Sequence, residues 1–486
     1  MRMALVVVMV AACDGGTQLT ADAGPDAAPM PDASVDAADP GIVGTWRDTY
    51  HTVAGPVTMS VCGTAPSAVV VDSTTAAVTP YPGTCMGDGS FRIHAPVNLG
   101  TYYLRVQGAL YETSKRAGID LSTERLGRSD VTGVTGVSLA LDMTNLQPWT
   151  TNDVLMAFGA NIGFFQNVSF TTGGPTTNGT TVAGSASWHG YKVDSAKSDA
   201  LQIVQLGGHT TTNGHAYLSL DRVYEVPSFA MSNNTAYDVD GAFVSPSQDA
   251  LQLNINVASF HQFAAVTNPN TTTRTIAGFA YAAVSPDVIP SPSLIQFARD
   301  SSTVTALNLG SLPYGDPFPA GWQRYVKIQE AFQVPYTWNN VSGSLNGLIV
   351  RVMPKSEAEA AIIDARLGPP RNPKFDGDNA FTDTVITQVP VVSWDAPSLG
   401  TPTDYEIQVY EVQVAGTTLS FQSKLRLVTK QTSVRIPSGY LLGQRQYVFV
   451  IRARSRTGVD VHETPLRTGT SWSSADTLSA LVTTDF

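Results

Sequence analysis

The chain contains 486 residues, with 40 acidic and 29 basic side chains, so its formal net charge at pH 7 is −11. An acidic chain lacks the basic face that nucleic acids require, and we therefore expect no nucleic-acid partner. Charged residues make up only 14% of the chain, whereas Thr, Ser, Val and Gly are abundant in segments bounded by turn residues. This composition predicts an all-β fold of tandem β-sandwich domains.

The N-terminus has the features of an export signal over residues 1–12. Arg2 precedes an apolar run that is too short to span a bilayer but suits the core of a signal peptide. The run ends in the sequence VAAC at residues 10–13, which resembles the lipobox of bacterial lipoproteins. The resemblance implies cleavage before Cys13, acylation of that residue and anchoring in a membrane. An ordinary secretory signal with an incidental cysteine is the alternative.

The next segment, residues 13–41, has the composition of a tether. Residues 14–41 contain six Asp, many Ala and Pro, no aromatic residue and no Lys or Arg. Such a segment cannot bury enough apolar surface to fold, and its like charges keep it extended. We predict a disordered tether that holds the folded domains away from a membrane. The predicted location is the bacterial cell envelope, at the outer membrane or cell surface rather than the inner membrane.

The chain has three cysteines. If Cys13 is lipidated, Cys62 and Cys85 remain as a pair, and in an exported protein such a pair predicts a disulfide. Two separate buried thiols are the alternative. A zinc site is not expected, because the pair lacks accompanying Cys or His ligands.

Residues 42–132 form the first predicted domain. Within 87–108, two turns each precede a stretch of alternating apolar residues, and this pattern predicts a β-hairpin. The stretch also resembles the carboxypeptidase regulatory-like (transthyretin-like) β-sandwich, which implies a small sandwich without activity of its own. The residues that carry the resemblance are Gly89, Phe91, Gly100, Tyr102 or Tyr103, and Leu104.

Residues 133–367 form the second and largest predicted domain. Asp153, Asp199 and Asp249 each precede an apolar segment, at spacings of 46 and 50 residues. Repeats of this length occur in propellers, but a propeller needs at least four blades. We therefore predict a large β-sandwich, with a propeller as the alternative, and we expect these aspartates at turns or strand entries.

Two helices are predicted in the same block. The sequence from Ser356 to Glu359 matches a capping box, and the Gly-Pro-Pro sequence at 368–370 ends the helix and marks a domain boundary. A shorter helix is predicted at Ser291-Pro292, where proline occupies the first turn.

Residues 371–486 form the last predicted domain. Strict alternation of apolar residues between 447 and 453 predicts a half-buried strand. The block resembles a fibronectin type III domain, with an early core tryptophan and a leucine six residues before a corner tyrosine. The resemblance implies that the hydroxyl of the corner tyrosine bonds to upstream backbone. The residues that carry it are Trp394, Tyr405, Leu441 and Tyr447.

No catalytic signature stands out. The sequence lacks an HExxH zinc motif, a G-x-S-x-G elbow and a Gly-rich phosphate loop. We predict a non-catalytic protein without a cofactor, which displays binding or adhesion domains at the envelope to a glycan or protein partner. A carbohydrate-binding protein is one alternative. A hydrolase with unrecognised carboxylates in residues 133–367 is another.

Metal ligation has few candidates. His209 and His215 flank Asn213-Gly214, and a two-residue hairpin there would place His209 opposite Leu218, so we predict turn or surface histidines. Two acidic clusters offer the oxygen ligands that calcium prefers, but neither completes an EF-hand, and we predict solvated turns without a metal. These calcium candidates are Asp238, Asp240, Asp376, Asp378 and Asp383.

Aromatic residues of the middle block are the candidates for stacking on a sugar. Core packing is the more common role of such residues, and a carbohydrate platform is the alternative. The candidates are Trp188, Trp322, Tyr325, Tyr336 and Trp338.

Overall fold

The computed structural model describes residues 41–227, 229–288 and 291–485. The signal peptide, Cys13 and nearly all of the tether lie outside the described residues, so these assignments stay predictions. Within the described ranges, no helix is long and apolar enough to cross a membrane. The described chain is built almost entirely of strands, which confirms the predicted all-β fold.

The strands lie as follows in the three blocks. The first block contains β1 (Ile42–Thr45), β2 (Arg47–Thr52), β3 (Gly55–Ser60), β4 (Ser67–Val71), β5 (Val78–Tyr81), β6 (Gly83–Cys85), β7 (Ser90–Ile93), β8 (Tyr102–Val106), β9 (Ala109–Thr113), β10 (Ile119–Asp120) and β11 (Glu124–Leu126). The middle block contains β12 (Val137–Thr144), β13 (Val154–Gly159), β14 (Phe164–Asn167), β15 (Phe170–Pro175), β16 (Val182–Trp188), β17 (Leu201–Thr210), β18 (Ala216–Val226), β19 (Ala236–Ala242), β20 (Ser247–Ile255), β21 (Arg274–Ala283), β22 (Ile295–Asp300), β23 (Leu307–Asp316), β24 (Gln323–Trp338) and β25 (Val341–Pro354). The last block contains β26 (Arg371–Phe375), β27 (Asp378–Asn379), β28 (Thr384–Ile386), β29 (Val391–Asp395), β30 (Asp404–Ala415), β31 (Thr418–Thr429), β32 (Ser433–Arg435), β33 (Gln446–Arg456), β34 (Trp472–Leu478) and β35 (Val482–Thr484). The helices are α1 (Val257–His261), α2 (Ala264–Thr267) and α3 (Lys355–Ala360).

Two sheets of the first block share one core, and a third sheet, β11-β2-β3, completes the block. Strand β7 belongs to the sheet β10-β1-β7-β6, whereas β8 pairs with β4 and β9 in the other sheet. The predicted hairpin of β7 with β8 is therefore wrong. Alternation correctly marked their inward residues, since Phe91 and Leu104 meet in the same core. It did not identify the pairing partner, because β8 instead turns back at Gln107-Gly108, where both residues have positive φ, into β9.

The predicted disulfide is confirmed. Cys62 and Cys85 are bonded, with their Cα atoms 5.6 Å apart. Cys85 ends β6 and Cys62 follows β3, so the bond ties the first sheet to the β2–β3 hairpin. The cross-link closes a loop between residues 23 positions apart.

The middle block stacks sheets on both faces of a central sheet. Residues Leu155 and Ala157 of β13 pack toward the sheet β15-β16-β12-β19. Their neighbours Met156 and Phe158 pack toward the opposite core, to which β20 and β23 contribute. Strand β13 is thus buried on both faces, which explains its continuous apolar sequence.

One predicted helix is present but shorter than predicted, and the other is absent. Helix α3 ends at Ala360 rather than at the Gly-Pro-Pro sequence, and Ile363 instead forms a β-bridge with Ile255. Helix α3 begins one residue before Ser356, with Pro354 at the N-cap and no capping side chain, so the predicted capping box does not form. Glu359 instead accepts a hydrogen bond from the Gln252 amide, 3.2 Å away. The helix predicted at Ser291 is wrong. The hydroxyl of Ser291 accepts a hydrogen bond from the Ala282 amide (3.0 Å), and extended chain follows this residue.

The last block has the predicted strand and corner. Strand β33 spans the predicted segment, and Tyr447 is fully buried in the core. The strand is not half-buried as predicted, because Val448 and Val450 pack in a second core on its other face. The Tyr447 hydroxyl accepts a hydrogen bond from the Leu442 amide at 2.8 Å, as expected for a corner tyrosine. Trp394 packs edge-on against Tyr405, with ring centroids 5.2 Å apart. The fibronectin type III resemblance itself stays a prediction, as does the carboxypeptidase regulatory-like one.

Backbone pairing joins the three blocks. Strand β9 of the first block pairs with β31 of the last, and β25 of the middle block pairs with β34. A single sheet of 18 strands therefore runs through all three blocks. The loop at 457–471, here called the clasp loop, adds side-chain links: Arg467 lies 3.0 Å from Glu124 of the first block and 3.2 Å from Asp287 of the middle block.

Buried ion pairs lie on one face of this shared sheet. Asp404 of β30 accepts hydrogen bonds from Arg454 (2.6 Å) and Arg456 (2.8 Å) of β33. Burial alone would raise the pKa of Glu406, but Arg454 and Arg426 outweigh burial and lower it. These carboxylates are therefore charged and paired, which makes separation of β30 from β33 costly.

Candidate functional site

The candidate site is a cavity of about 330 Å³ where β24 begins and β25 leads into α3. We call it the α3 cleft. Its volume lies at the lower end of the range for small-molecule sites. The lining residues are Gln323, Arg324, Pro354, Lys355, Ser356 and Glu359.

Arg324 builds one wall of the α3 cleft. Its guanidinium donates to Asp316 (2.7 Å) and to the carbonyl oxygens of Phe318 and Pro319 (both 2.9 Å). These bonds fix the loop that carries Trp322, whose ring is stacked on Phe318 with centroids 5.9 Å apart. A single arginine therefore fixes the loop that leads into the cavity lining at Gln323.

Lys355 builds the opposite wall. Its ammonium group lies 2.6 Å from Asp249 and 5.4 Å from the centre of the Tyr314 ring. The Tyr314 hydroxyl also donates to Asp249, at 2.8 Å. Burial would raise the pKa of Asp249, but the hydrogen bonds from Lys355 and Tyr314 outweigh it and lower that pKa. Burial and the bond to Asp249 raise the pKa of Tyr314.

The ionisable side chains of the cleft are already partnered. Arg324 pairs with Asp316, Lys355 with Asp249, and Glu359 with a backbone amide. These interactions hold charged and polar side chains in fixed positions around the cleft, where they can contact a polar ligand.

The predicted aromatic platform does not form. Trp188, Tyr325 and Tyr336 are buried in cores, at 1%, 1% and 5% exposure, and none of them presents a ring face to a ligand. Trp322 and Trp338 are partly buried and lie at opposite ends of β24. Core packing, the more common role, therefore accounts for these three, and Trp322 and Trp338 also pack against cores.

The calcium candidates do not converge. Asp238 and Asp240 lie on the exposed face of β19, so the turn predicted for them is wrong. Asp376 does lie in a turn, where it accepts a hydrogen bond from the Val391 amide at 2.8 Å, and Asp378 and Asp383 are exposed. Across the described ranges, no group of three or more His, Cys, Asp or Glu side chains is placed to hold a metal ion.

The histidine hairpin differs from the prediction by one position. His209 pairs with Tyr217, because the turn has three residues rather than two and closes with a bond from the Thr211 amide to the His215 carbonyl. The His209 ring instead bonds to Asp221 at 2.8 Å. This hydrogen bond raises the pKa of His209.

The three repeated aspartates have different roles. Asp153 directly precedes β13, and Asp199 lies two residues before the start of β17, as expected for strand-entry residues. Asp153 accepts a hydrogen bond from the Gly208 amide at 2.9 Å, and Asp199 pairs with Arg128 at 2.9 Å. Asp249 lies inside β20 rather than at its entry, and it is the one that reaches the α3 cleft.

Sequence reasoning missed one unusual acidic residue. Glu330 is fully buried, accepts a hydrogen bond from Ser301 and lies 3.6 Å from His261, whose other ring nitrogen accepts from Arg274 at 2.8 Å. Burial raises the pKa of Glu330 to about 7. The sequence could have indicated this burial, because Glu330 lies two residues before the buried Phe332 on the same face of β24.

Comparisons with known proteins identify no family. No protein-family model and no curated protein matches the chain. The Streptococcal ancillary pilin is 9% identical, covering 62% of this chain and 95% of that chain, with a TM-score of 0.12. A tetra-tandem repeat in the extending region of a large adhesion protein is 11% identical, covering 90% and 99%, also with a TM-score of 0.12. Likeness at this level carries no argument about function.

Proposed function

We propose that this chain is a non-catalytic lipoprotein of the bacterial cell envelope, which displays a joined β-sandwich body on an acidic tether. The observation that carries the display role is the single sheet of 18 strands that joins the three blocks. The non-catalytic part rests on the sequence, which has no HExxH, G-x-S-x-G or Gly-rich phosphate motif. Export is supported by the Cys62–Cys85 disulfide, which persists in oxidising compartments. Anchoring rests on the VAAC sequence that ends at Cys13.

The joined body suits display. Pairing of β9 with β31 and of β25 with β34 makes independent movement of the blocks costly, because backbone hydrogen bonds would have to break. A surface on any block therefore keeps a fixed position relative to the others. The tether alone supplies reach from the membrane.

Anchoring is tested by replacing the predicted acylated residue. The wild-type chain and a Cys13→Ser variant are produced in a bacterium with lipoprotein processing, and the cells are fractionated with a phase-separating detergent. We expect the wild type in the detergent phase and the variant in the aqueous phase. Equal partition of the two proteins would contradict the anchor. Display at the cell surface is measured in a separate experiment, by protease digestion of intact cells.

Saccharide binding by the α3 cleft is the second candidate. The observation that favours it is the cleft lining, which offers the amide of Gln323 and the hydroxyl of Ser356, with the partly buried Trp322 next to Gln323 in sequence. Sugars present an apolar ring face to aromatic side chains and hydroxyl groups to amides and hydroxyls. The ligand of this candidate is an envelope glycan.

The saccharide candidate is tested by titration calorimetry with soluble envelope-glycan fragments. We expect Trp322→Ala to weaken binding at least tenfold and Ser356→Ala to weaken it less. Trp338→Ala is the matched control, because Trp338 is also partly buried but lies at the other end of β24. Equal losses from the two tryptophan variants, or no heat of binding to the wild type, would rule this candidate out.

A further inference from the structure

Strand β3 is an open edge that carries no charged side chain, although Pro56 lies within it. It is the last strand of the sheet β11-β2-β3 and pairs only with β2. Natural edge strands are commonly blunted by charged side chains, yet β3 reads GPVTMS and the turn before it reads VA. Val57 and Met59 are 48% and 41% exposed on one face of this edge.

The register shows which backbone groups point outward. The Val61 amide donates to the Trp46 carbonyl at 3.3 Å, which marks this pair as a hydrogen-bonded position. In an antiparallel pair, hydrogen-bonded positions recur every second residue, so Val57 and Met59 direct their backbone groups at β2. Pro56, Thr58 and Ser60 therefore direct theirs away from the sheet.

This outward pattern is self-complementary. When two copies of β3 are placed antiparallel about a two-fold axis at Thr58, each Thr58 exchanges two hydrogen bonds with Thr58 of the second copy. Each Ser60 amide then donates to the carbonyl of Pro56, whereas the Ser60 carbonyl receives no bond in return, because proline has no amide hydrogen. Val57 lies opposite Met59 of the second copy on the same face, which pairs the exposed apolar side chains.

We propose that β3 is a homodimerisation edge, which pairs antiparallel with β3 of a second copy of this chain about a two-fold axis at Thr58. The absence of charge from the strand and its turn removes the like-charge repulsion that would oppose such self-pairing. An isologous contact of this kind closes after two copies and does not extend into a fibre. The two sheets merge into one of six strands.

The register gives a sharp crosslinking test. In the proposed dimer the two Thr58 Cα atoms lie about 5.5 Å apart, within reach of a disulfide. The two Ser60 Cα atoms are displaced by four residues, or about 13 Å along the strand, which is out of reach. The full mature chain with Cys13→Ser is prepared with Thr58→Cys or with Ser60→Cys and oxidised mildly. We expect a covalent dimer from T58C and none from S60C.

Association is measured in parallel by analytical ultracentrifugation of the same chain at increasing concentration. Thr58→Pro removes an outward amide that β2 does not use, and we expect it to weaken dimerisation at least tenfold, whereas Thr58→Ala leaves it unchanged. Met59→Lys, at an exposed position, is a second disrupting variant that spares the backbone. A monomer at all concentrations, or equal crosslinking of T58C and S60C, would overturn the proposal. A monomer would indicate that β3 pairs with a strand of another protein instead.

Discussion

Ionisation of Glu330 is expected to make the fold less stable as the pH rises. The carboxyl is fully buried, and burial raises its pKa from the ordinary 4.5 to about 7. When folding raises the pKa of a carboxyl group, the protonated form stabilises the folded state. This contribution is complete below the unfolded-state pKa and is lost as the pH rises through the folded-state pKa. The shift corresponds to about 3 kcal/mol.

The perturbation that tests this reasoning is Glu330→Gln. Glutamine keeps the acceptor for Ser301 and has nearly the same shape, but it cannot ionise. At pH 5 we expect the variant and the wild type to differ by less than about 1 kcal/mol in free energy of unfolding. Above pH 8 we expect the variant to be more stable by about 3 kcal/mol, because the wild type then carries a buried charge.

Urea denaturation at several pH values between 5 and 9 provides the measurement. Glu225→Gln is the matched control, because Glu225 is exposed on β18 and its replacement should leave the pH dependence of stability as in the wild type. Parallel stability–pH curves for the wild type and E330Q would refute the reasoning, since they would show that Glu330 does not titrate differently in the folded chain. A variant destabilised at every pH would show that shape, not ionisation, matters at this position.

Three further predictions concern bonds within and between the blocks. Replacing Cys62 and Cys85 by serine should lower the free energy of unfolding by about 3 kcal/mol, and equal denaturation midpoints for the wild type with and without reductant would contradict this. Tyr447→Phe should cost about 1 kcal/mol in the same assay, because the Leu442 amide loses its acceptor, and an unchanged midpoint would count against the corner bond. Arg467→Ala should cost about 2 kcal/mol and speed hydrogen exchange in the clasp loop, and unchanged exchange there would show that this arginine does not link the blocks.

Periodicity predicted strands well and their partners poorly. The alternation around Tyr447 predicts a strand, and this strand is β33. The alternation around Phe91 and Leu104 is equally clear, but it reports only which side chains face the core. Two strands in opposite sheets of a sandwich share this pattern with two strands of one hairpin, so the sequence could not separate the cases.

The site was less predictable than the fold. Turn length decides register, and the three-residue turn after Thr211 shifted His209 by one position. The α3 cleft joins Asp249 of β20 with Lys355 of α3, more than a hundred positions apart, and no local pattern links them. The burial of Glu330 likewise depends on α1 and β22 covering β24, which alternation alone does not reveal.

The measurement that tests the central claim most directly is the intact mass of the native chain, extracted from bacterial membranes with detergent, before and after reduction. The account predicts a mass that begins at Cys13 and carries added acyl chains, with a gain of two hydrogens when the Cys62–Cys85 bond is reduced. An unacylated mass, or one that begins at another residue, would contradict the anchored display protein proposed above.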